Sequence, residues 1–378
     1  MTVQDGTAVE RARAAMAAGL DDVVVARTAL SHVDGAAGEL RIAGAPLQAL
    51  AAQPVEAVAE RLWRAAGAGQ AAGARQALAH GRAAAWQHRD RALAAGQGLP
   101  PMEGLIAALA AAGPAGAPPA TAAADLPEAV FLAGAVAVFL PALLRQAEGR
   151  QPVPPAPGLD HAADILQMLR GSPPAAAEAE GLNRYLVTVA DHGMNASTFT
   201  ARVVASTRAG MTAAVVAALC ALKGPLHGGA PGPVLDMLDE AAGQPDLRHW
   251  IRGRLAAGER IMGFGHRVYR VRDPRADVLR QAASTLRSPR LEAAAALEQA
   301  VLAELAAHRP DRPLETNVEF MTALLLDALG LPRTAFTAIF AAGRVFGWTA
   351  HVMEQERTGR LIRPRSDYVA PPAAAGTP

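Results

Sequence analysis

"TAFTAIFAAGRVFGWTAHVMEQER", residues Thr334 to Arg357, is apolar nearly all round when wound as a helix, with one arginine, Arg344, in its middle. A helix without a polar face has no side to give to water, so it belongs among other helices. The arginine at its centre cannot be hydrated there and needs an anionic partner. A large helical protein built around a buried charge is the starting expectation.

Composition agrees. Of 378 residues, 51% are hydrophobic but only 4% aromatic, and alanine fills the deficit. Alanine favours helix and lets helices approach closely. The formal net charge is +1, with 19% charged residues, so no strong field recruits nucleic acid or a membrane surface. The length suits one large domain or two ordinary ones. A single cysteine, Cys220, excludes an intramolecular disulfide framework and a cysteine-ligated metal site, as suits a reducing cytosol. Its neighbours, AALCAL, place it on a buried helix face. The first residues lack the apolar core of a signal peptide. "AVFLAGAVAVFLPALL" (129–144) approaches membrane-spanning length before Pro141 intervenes, and reads as a core helix. A soluble, cytoplasmic protein is expected.

Near the start, "GLDDVVVARTALSHVDGAAGELRIAG" (19–44) alternates β-branched residues with turn signals and predicts short strands. Stretches rich in Pro, Gly and Ala at 112–125, 149–160 and 171–180 read as loops between packed helices. "NASTFTARVVAS" predicts a helix capped by Asn195, broken at Ala209-Gly210 and resumed until Gly224. "PVLDMLDEAA" starts the next helix at Pro233. The tail after Arg365 has no apolar pattern.

His227, in "GPLHGG", lies on the glycine-rich link between two helices. It either satisfies backbone groups in a tight turn or, held neutral near a helix start, donates to a carbonyl becoming an enolate. "IMGFGHRVYRVRDPR" (261–275) either aims His266 into a cavity, with arginines at 267, 270, 272 and 275 ready for carboxylate or phosphate, or is a solvated basic face. Nucleic-acid motifs are missing. Glu319, between Val318 and Phe320, is a base with a raised pKa, a helix cap or an ion-pair partner. His192, in "ADHGMNAST", precedes a helix and could cap or pack there. Together with Arg344 and Arg363, these groups can polarise two carbonyls, remove a proton and grip a dicarboxylate, the equipment for carbon–carbon bond formation through an enol.

"ADHGMNAST", "GPLHGG", "GFGHRVYRVRDPR", "NVEF", "FAAGRVFGWTAH" and "IRPRSDY" fall in the order and approximate spacing of the citrate synthase family. Residues 19–41 resemble its N-terminal segment, and the length is similar to that of its shorter, dimer-forming bacterial and archaeal members. The resemblance implies an all-α fold, with a large domain from residues 1–228 and 331–378, a small domain at 229–330 and an active site in the cleft between them. It implies that His227 stabilises the enol of an acyl-CoA thioester, His266 polarises the keto oxygen of oxaloacetate and Glu319 is the base. His192, Arg275 and Arg344 would bind oxaloacetate, joined by Arg363 from the other subunit of a homodimer. Ile261, Gly263 and Gly265 would border the CoA adenine, with Arg270 near its phosphates. Acyl-CoA is a co-substrate, with no permanently bound cofactor and no metal.

The chain departs from the family pattern in four places. Glu319 replaces the usual aspartate, "DHG" the usual "DHE" and "GGAPGP" the usual "GGANE", while "LRIAGAPLQAL" lacks the usual tyrosine-arginine-glycine-tyrosine segment. Acetyl-CoA giving citrate and propionyl-CoA giving 2-methylcitrate both fit. The alternative is a paralogue that keeps the anion site but has lost efficient catalysis, and serves as a metabolite-binding or regulatory protein.

Overall fold

The structure, a computed structural model, describes residues 19–20, 23–68, 73–113, 122–228, 231–310, 314–366 and 368–369. The first residues of the chain, the middle of the 112–125 loop, Gly229-Ala230 and the last residues of the tail lie outside the described residues.

The predicted N-terminal strands form as β1 (Ser31–Asp34), β2 (Glu39–Ile42) and β3 (Ala45–Pro46), an antiparallel sheet in that order. Val33 faces Leu40 and Ile42 faces Ala45 across the ladders. Asp34 ties the first turn by accepting from the amides of Ala36 and Ala37.

Everything else regular among the described residues is helix, which bears out the all-α expectation. The first helices are α1 (Leu47–Leu50), α2 (Val55–Ala65), α3 (Ala74–Trp86), α4 (Arg89–Gly96), α5 (Pro101–Ala112) and α6 (Ala122–Ala147). Then come α7 (His161–Arg170), α8 (Ala176–Val189), α9 (Ala196–Ser206), α10 (Met211–Leu222) and α11 (Pro231–Ala242). The chain continues through α12 (Leu247–Ala256), α13 (Pro274–Ser284), α14 (Pro289–His308), α15 (Val318–Ala328) and α16 (Phe336–Thr358).

Helix α16 is the predicted buried helix, begun two residues late because Arg333–Ala335 form a 3-10 turn. Residues 341–355 are all buried, packed against α2, α6, α8, α9 and α10. Its crossing with α8 is close. A Cβ on Gly343 would lie 2.5 Å from Val189 Cγ2, and one on Gly347 2.3 Å from the Ala190 carbonyl. Only glycine permits that approach, and it brings Arg344 beside the chain that leads from α8 to His192.

Helix α6 is the core helix expected. Pro127–Ala147 is long and apolar enough to cross a membrane, but 83% of the window is buried inside the fold. Asn195 caps α9 as predicted, its Oδ1 accepting from the Thr198 amide. Helices α11 to α15 pack mainly on one another, and α13 also meets α8.

Four expectations are corrected. Residues 122–125 and 176–180 are helical, so two of the three loops are shorter; alanine extends each helix back toward the prolines. At the second of these starts, Glu178 reaches back to the Ala175 amide. Helix α11 starts at Pro231 rather than Pro233. Cys220 is exposed, because Leu219 and Leu222 take the buried face of α10.

Candidate active site

Two loops and two helix starts converge, and the N-terminal sheet ties the loops together. Ser31 Oγ accepts from the Gly193 amide at 2.8 Å, and the Gly35 carbonyl accepts from the Arg270 amide at 2.8 Å. The sheet therefore touches both the His192 loop and the His266 loop.

Gly263 and Gly265, at φ 85° and 78°, bend the His266 loop in a way other residues resist. The loop is stitched to the segment before Glu319. Phe264 pairs with Thr316, the Gly265 amide donates to the Glu315 carbonyl, and Asn317 Nδ2 donates to the Gly265 carbonyl. His266 Nδ1 accepts from the amides of Val268 and Tyr269, at 3.0 and 3.1 Å. A neutral ring so held carries its proton on Nε2, which lies 3.1 Å from Arg275 Nη2, also a donor. Nε2–H is the donor this ring can turn to an acceptor such as a carbonyl oxygen. Burial, and then Arg275, push the His266 pKa down to about 4, so the ring stays neutral.

Arg275 is buried at the start of α13, where Asp273 both caps the helix and pairs with the guanidinium. His192 Nε2 lies 3.1 Å from the Tyr269 hydroxyl, and its ring centroid lies 5.9 Å from that of His266. Burial, then Arg275 and Arg344, hold its pKa well below the usual range.

Glu319 stands in the first turn of α15, but Asn317 makes the cap, its Oδ1 accepting from the Glu319 amide at 2.9 Å. The Glu319 carboxylate has no ion pair among the described residues, so neither the cap nor the ion-pair reading applies. Burial raises its pKa to about 7 against the pull of Arg275 and Arg344.

Arg344 is 1% exposed. The expected anionic partner is not bonded to it: its Nε donates to the Val189 carbonyl at 2.5 Å, while Asp191 and Glu319 act through space. Desolvation pushes its pKa down to about 10. A buried cation held by a carbonyl and the face of Phe340, with its guanidinium carbon 4.8 Å from the ring centroid and no carboxylate bonded to it, favours an arriving anion.

His227 sits in the turn between α10 and α11. Its Nε2 lies 2.8 Å from Ser197 Oγ, and burial followed by Arg344 lowers its pKa to about 4. The ring thus serves a side chain rather than the turn's backbone. Ser197, fully buried, also receives Trp348 Nε1 at 3.1 Å and reaches Asn195 Oδ1 at 2.8 Å.

The sequence profile of the citrate synthase C-terminal domain matches residues 19–365. The chain belongs to the citrate synthase family. A putative citrate synthase 2 of Mycobacterium bovis is 55% identical over 192 residues, 51% of this chain and 52% of that one. The match thus spans about half the length of that relative. A 2-methylcitrate synthase of Mycobacterium tuberculosis is 36% identical over 362 residues, 93% of this chain and 89% of that one. Among solved structures, the citrate synthase of Thermoplasma acidophilum in a ternary complex with carboxymethyl coenzyme A and oxaloacetate superposes with a TM-score of 0.85. It is 28% identical and covers 96% of this chain and 98% of that one.

In this citrate synthase family member, Ile261 and Gly265 border a cavity of about 500 Å³ that also meets His266 and the basic residues Arg260, Arg267, His308 and Arg309. Arg270 borders a neighbouring cavity of about 420 Å³ beside His266 and Tyr269. Gly263 borders neither; a Cβ there would lie 2.8 Å from Phe320 Cβ. Arg363 is exposed and, among the described residues, bonds none of the site groups of its own chain. Sequence reasoning missed Ser197, Tyr269, Asp273 and Trp348 as parts of the site. Tyr269, an aromatic residue between arginines, was the one visible signal.

Proposed function

We propose that the protein joins an acyl-CoA thioester to oxaloacetate, giving a tricarboxylic acid and free CoA. One observation carries the reading: two neutral histidines and a carboxylate with a pKa near 7 surround the buried pair Arg275 and Arg344.

Glu319 takes an α-proton from the thioester, leaving the electron pair as an enolate. His227 meets the enolate oxygen through Nδ1–H once the Ser197 hydroxyl turns from Asn195 Oδ1 to donate a hydrogen bond to Nε2, with Trp348 Nε1 still donating to Ser197 Oγ. One such preorganised donor contributes about 3–4 kcal/mol. The enol carbon attacks the keto carbon of oxaloacetate, and His266 gives its Nε2 proton to the new alkoxide. His192, Arg275 and Arg344 hold the diacid, so much of the entropy of bringing two substrates together is lost on binding. Water then adds to the thioester carbonyl and the C–S bond breaks, releasing CoA.

Ile261 and Gly265 border the adenine, and Arg270 lies near the phosphates. Residues 229–330 form a smaller inserted domain, supported by the mutual packing of α11 to α15. The protein works as a cytoplasmic homodimer in central carbon metabolism, and Arg363 completes the partner's site. Acetyl-CoA and propionyl-CoA differ by one methylene, worth about 1–3 kcal/mol; the relative named a putative citrate synthase supports the first and the one named a 2-methylcitrate synthase the second.

Glu319 favours one second reading. Its arm is longer than the family's aspartate by about one bond, and misplacement by about 1 Å can cost ~100-fold; a metabolite-binding paralogue would result. Thiol release by purified protein with oxaloacetate and either thioester decides between them. CoA release above background supports catalysis. No release, with oxaloacetate still raising the melting temperature, supports the binding paralogue.

A further inference from the structure

We propose that Tyr269 is a positioning residue of the oxaloacetate site, donating its phenolic proton to His192 Nε2 and so holding the imidazole proton on Nδ1. This rests on the oxaloacetate reading above. Tyr269 is 3% exposed and touches three of the groups assigned to that site. Its hydroxyl lies 3.1 Å from His192 Nε2, its ring centroid 4.9 Å from that of His266, and the Arg275 guanidinium 5.6 Å over its ring. Its amide also donates to His266 Nδ1.

The direction of the bond to His192 follows from chemistry. A phenol is a better donor than a neutral imidazole N–H, and an imidazole nitrogen is a better acceptor than a phenol oxygen. Burial keeps the phenol protonated by raising its pKa. A neutral ring has one proton to give, and with Nε2 facing Tyr269 that proton sits on Nδ1. Nε2 is then held by the phenol, and Nδ1–H is the ring's donor for an arriving carboxylate. A neutral histidine between Arg275 and Arg344 adds this donor without adding a third buried charge.

Tyr269→Phe tests the inference, because the ring and the backbone bond to His266 remain. The variant should bind oxaloacetate about 5–10-fold more weakly by calorimetry, the loss of one hydrogen bond, while KM for the acyl-CoA changes less than about twofold. In ¹⁵N spectra of histidine-labelled protein without substrate, wild-type His192 should carry its proton on Nδ1, and the variant should show a mixture of tautomers. A wild-type proton on Nε2 overturns the inference, as does equal oxaloacetate affinity in the two proteins. Failure of wild type to bind oxaloacetate overturns the functional reading instead, and the tautomer spectrum still decides the role of Tyr269.

Discussion

Asp273 holds Arg275 with both carboxylate oxygens, Oδ1 accepting from Nε at 3.0 Å and Oδ2 from Nη2 at 2.9 Å. The same carboxylate caps α13 and accepts from the Val318 amide at 3.1 Å, one residue before Glu319. Asp273→Ala would leave a buried guanidinium unpaired, a loss of about 3–5 kcal/mol. Urea unfolding should show that loss, and oxaloacetate affinity should fall with it. Unfolding within about 1 kcal/mol of wild type would mean that the pair does not anchor the site.

Glu319 sets the pH profile. As a base it must be ionised, so kcat/KM for the thioester should rise as pH increases through about 7 and then level. His227 and His266, with pKa values of about 4, remain neutral across that range. The stability effect has the opposite slope. A carboxylate raised from 4.5 to about 7 binds its proton more tightly in the folded state, so stability falls as pH rises between those values. Glu319→Gln should remove both dependences, and melting curves across pH check the second. A wild-type rate that is flat through neutrality would remove Glu319 as the base.

Ser197 should affect turnover separately from diacid binding. It touches His227 and Trp348 but none of the three groups assigned to oxaloacetate. Ser197→Ala should lower kcat about 10-fold, as one orienting hydrogen bond is lost, with the oxaloacetate Kd unchanged. A parallel loss in both measurements would point to general damage instead.

The fold was legible where one pattern repeats at every turn. Helix α16 has no polar face from 341 to 355, so its burial could not be misread, and the Asn195 cap is a local signal. The motif histidines and Glu319 were legible for their unusual settings, a glycine-rich turn or an apolar run. What escaped depends on partners distant in the chain. Tyr269 meets His192 across 77 positions and Trp348 meets Ser197 across 151; no local window contains either pair. Cys220 was misplaced because its neighbours are apolar on both sides, and only the packing of Leu219 and Leu222 decides which face turns inward. Arg344 was read correctly as buried, but its bond to the Val189 carbonyl depends on the close crossing of α8 and α16.

Arg363 offers a test of shared sites. In the proposed homodimer each site takes His266 from one subunit and Arg363 from the other. His266→Ala and Arg363→Ala should therefore each be nearly inactive alone. Mixed under conditions that exchange subunits, half the dimers become heterodimers, and each heterodimer has one site with both residues intact. Activity should return to about a quarter of the wild-type value by this symmetry. If Arg363 instead served its own chain, every site in the mixture would lack one residue or the other, and mixing would restore nothing. Size-exclusion chromatography of each variant would establish that both still dimerise, so that a failure to recover could not be assigned to lost assembly.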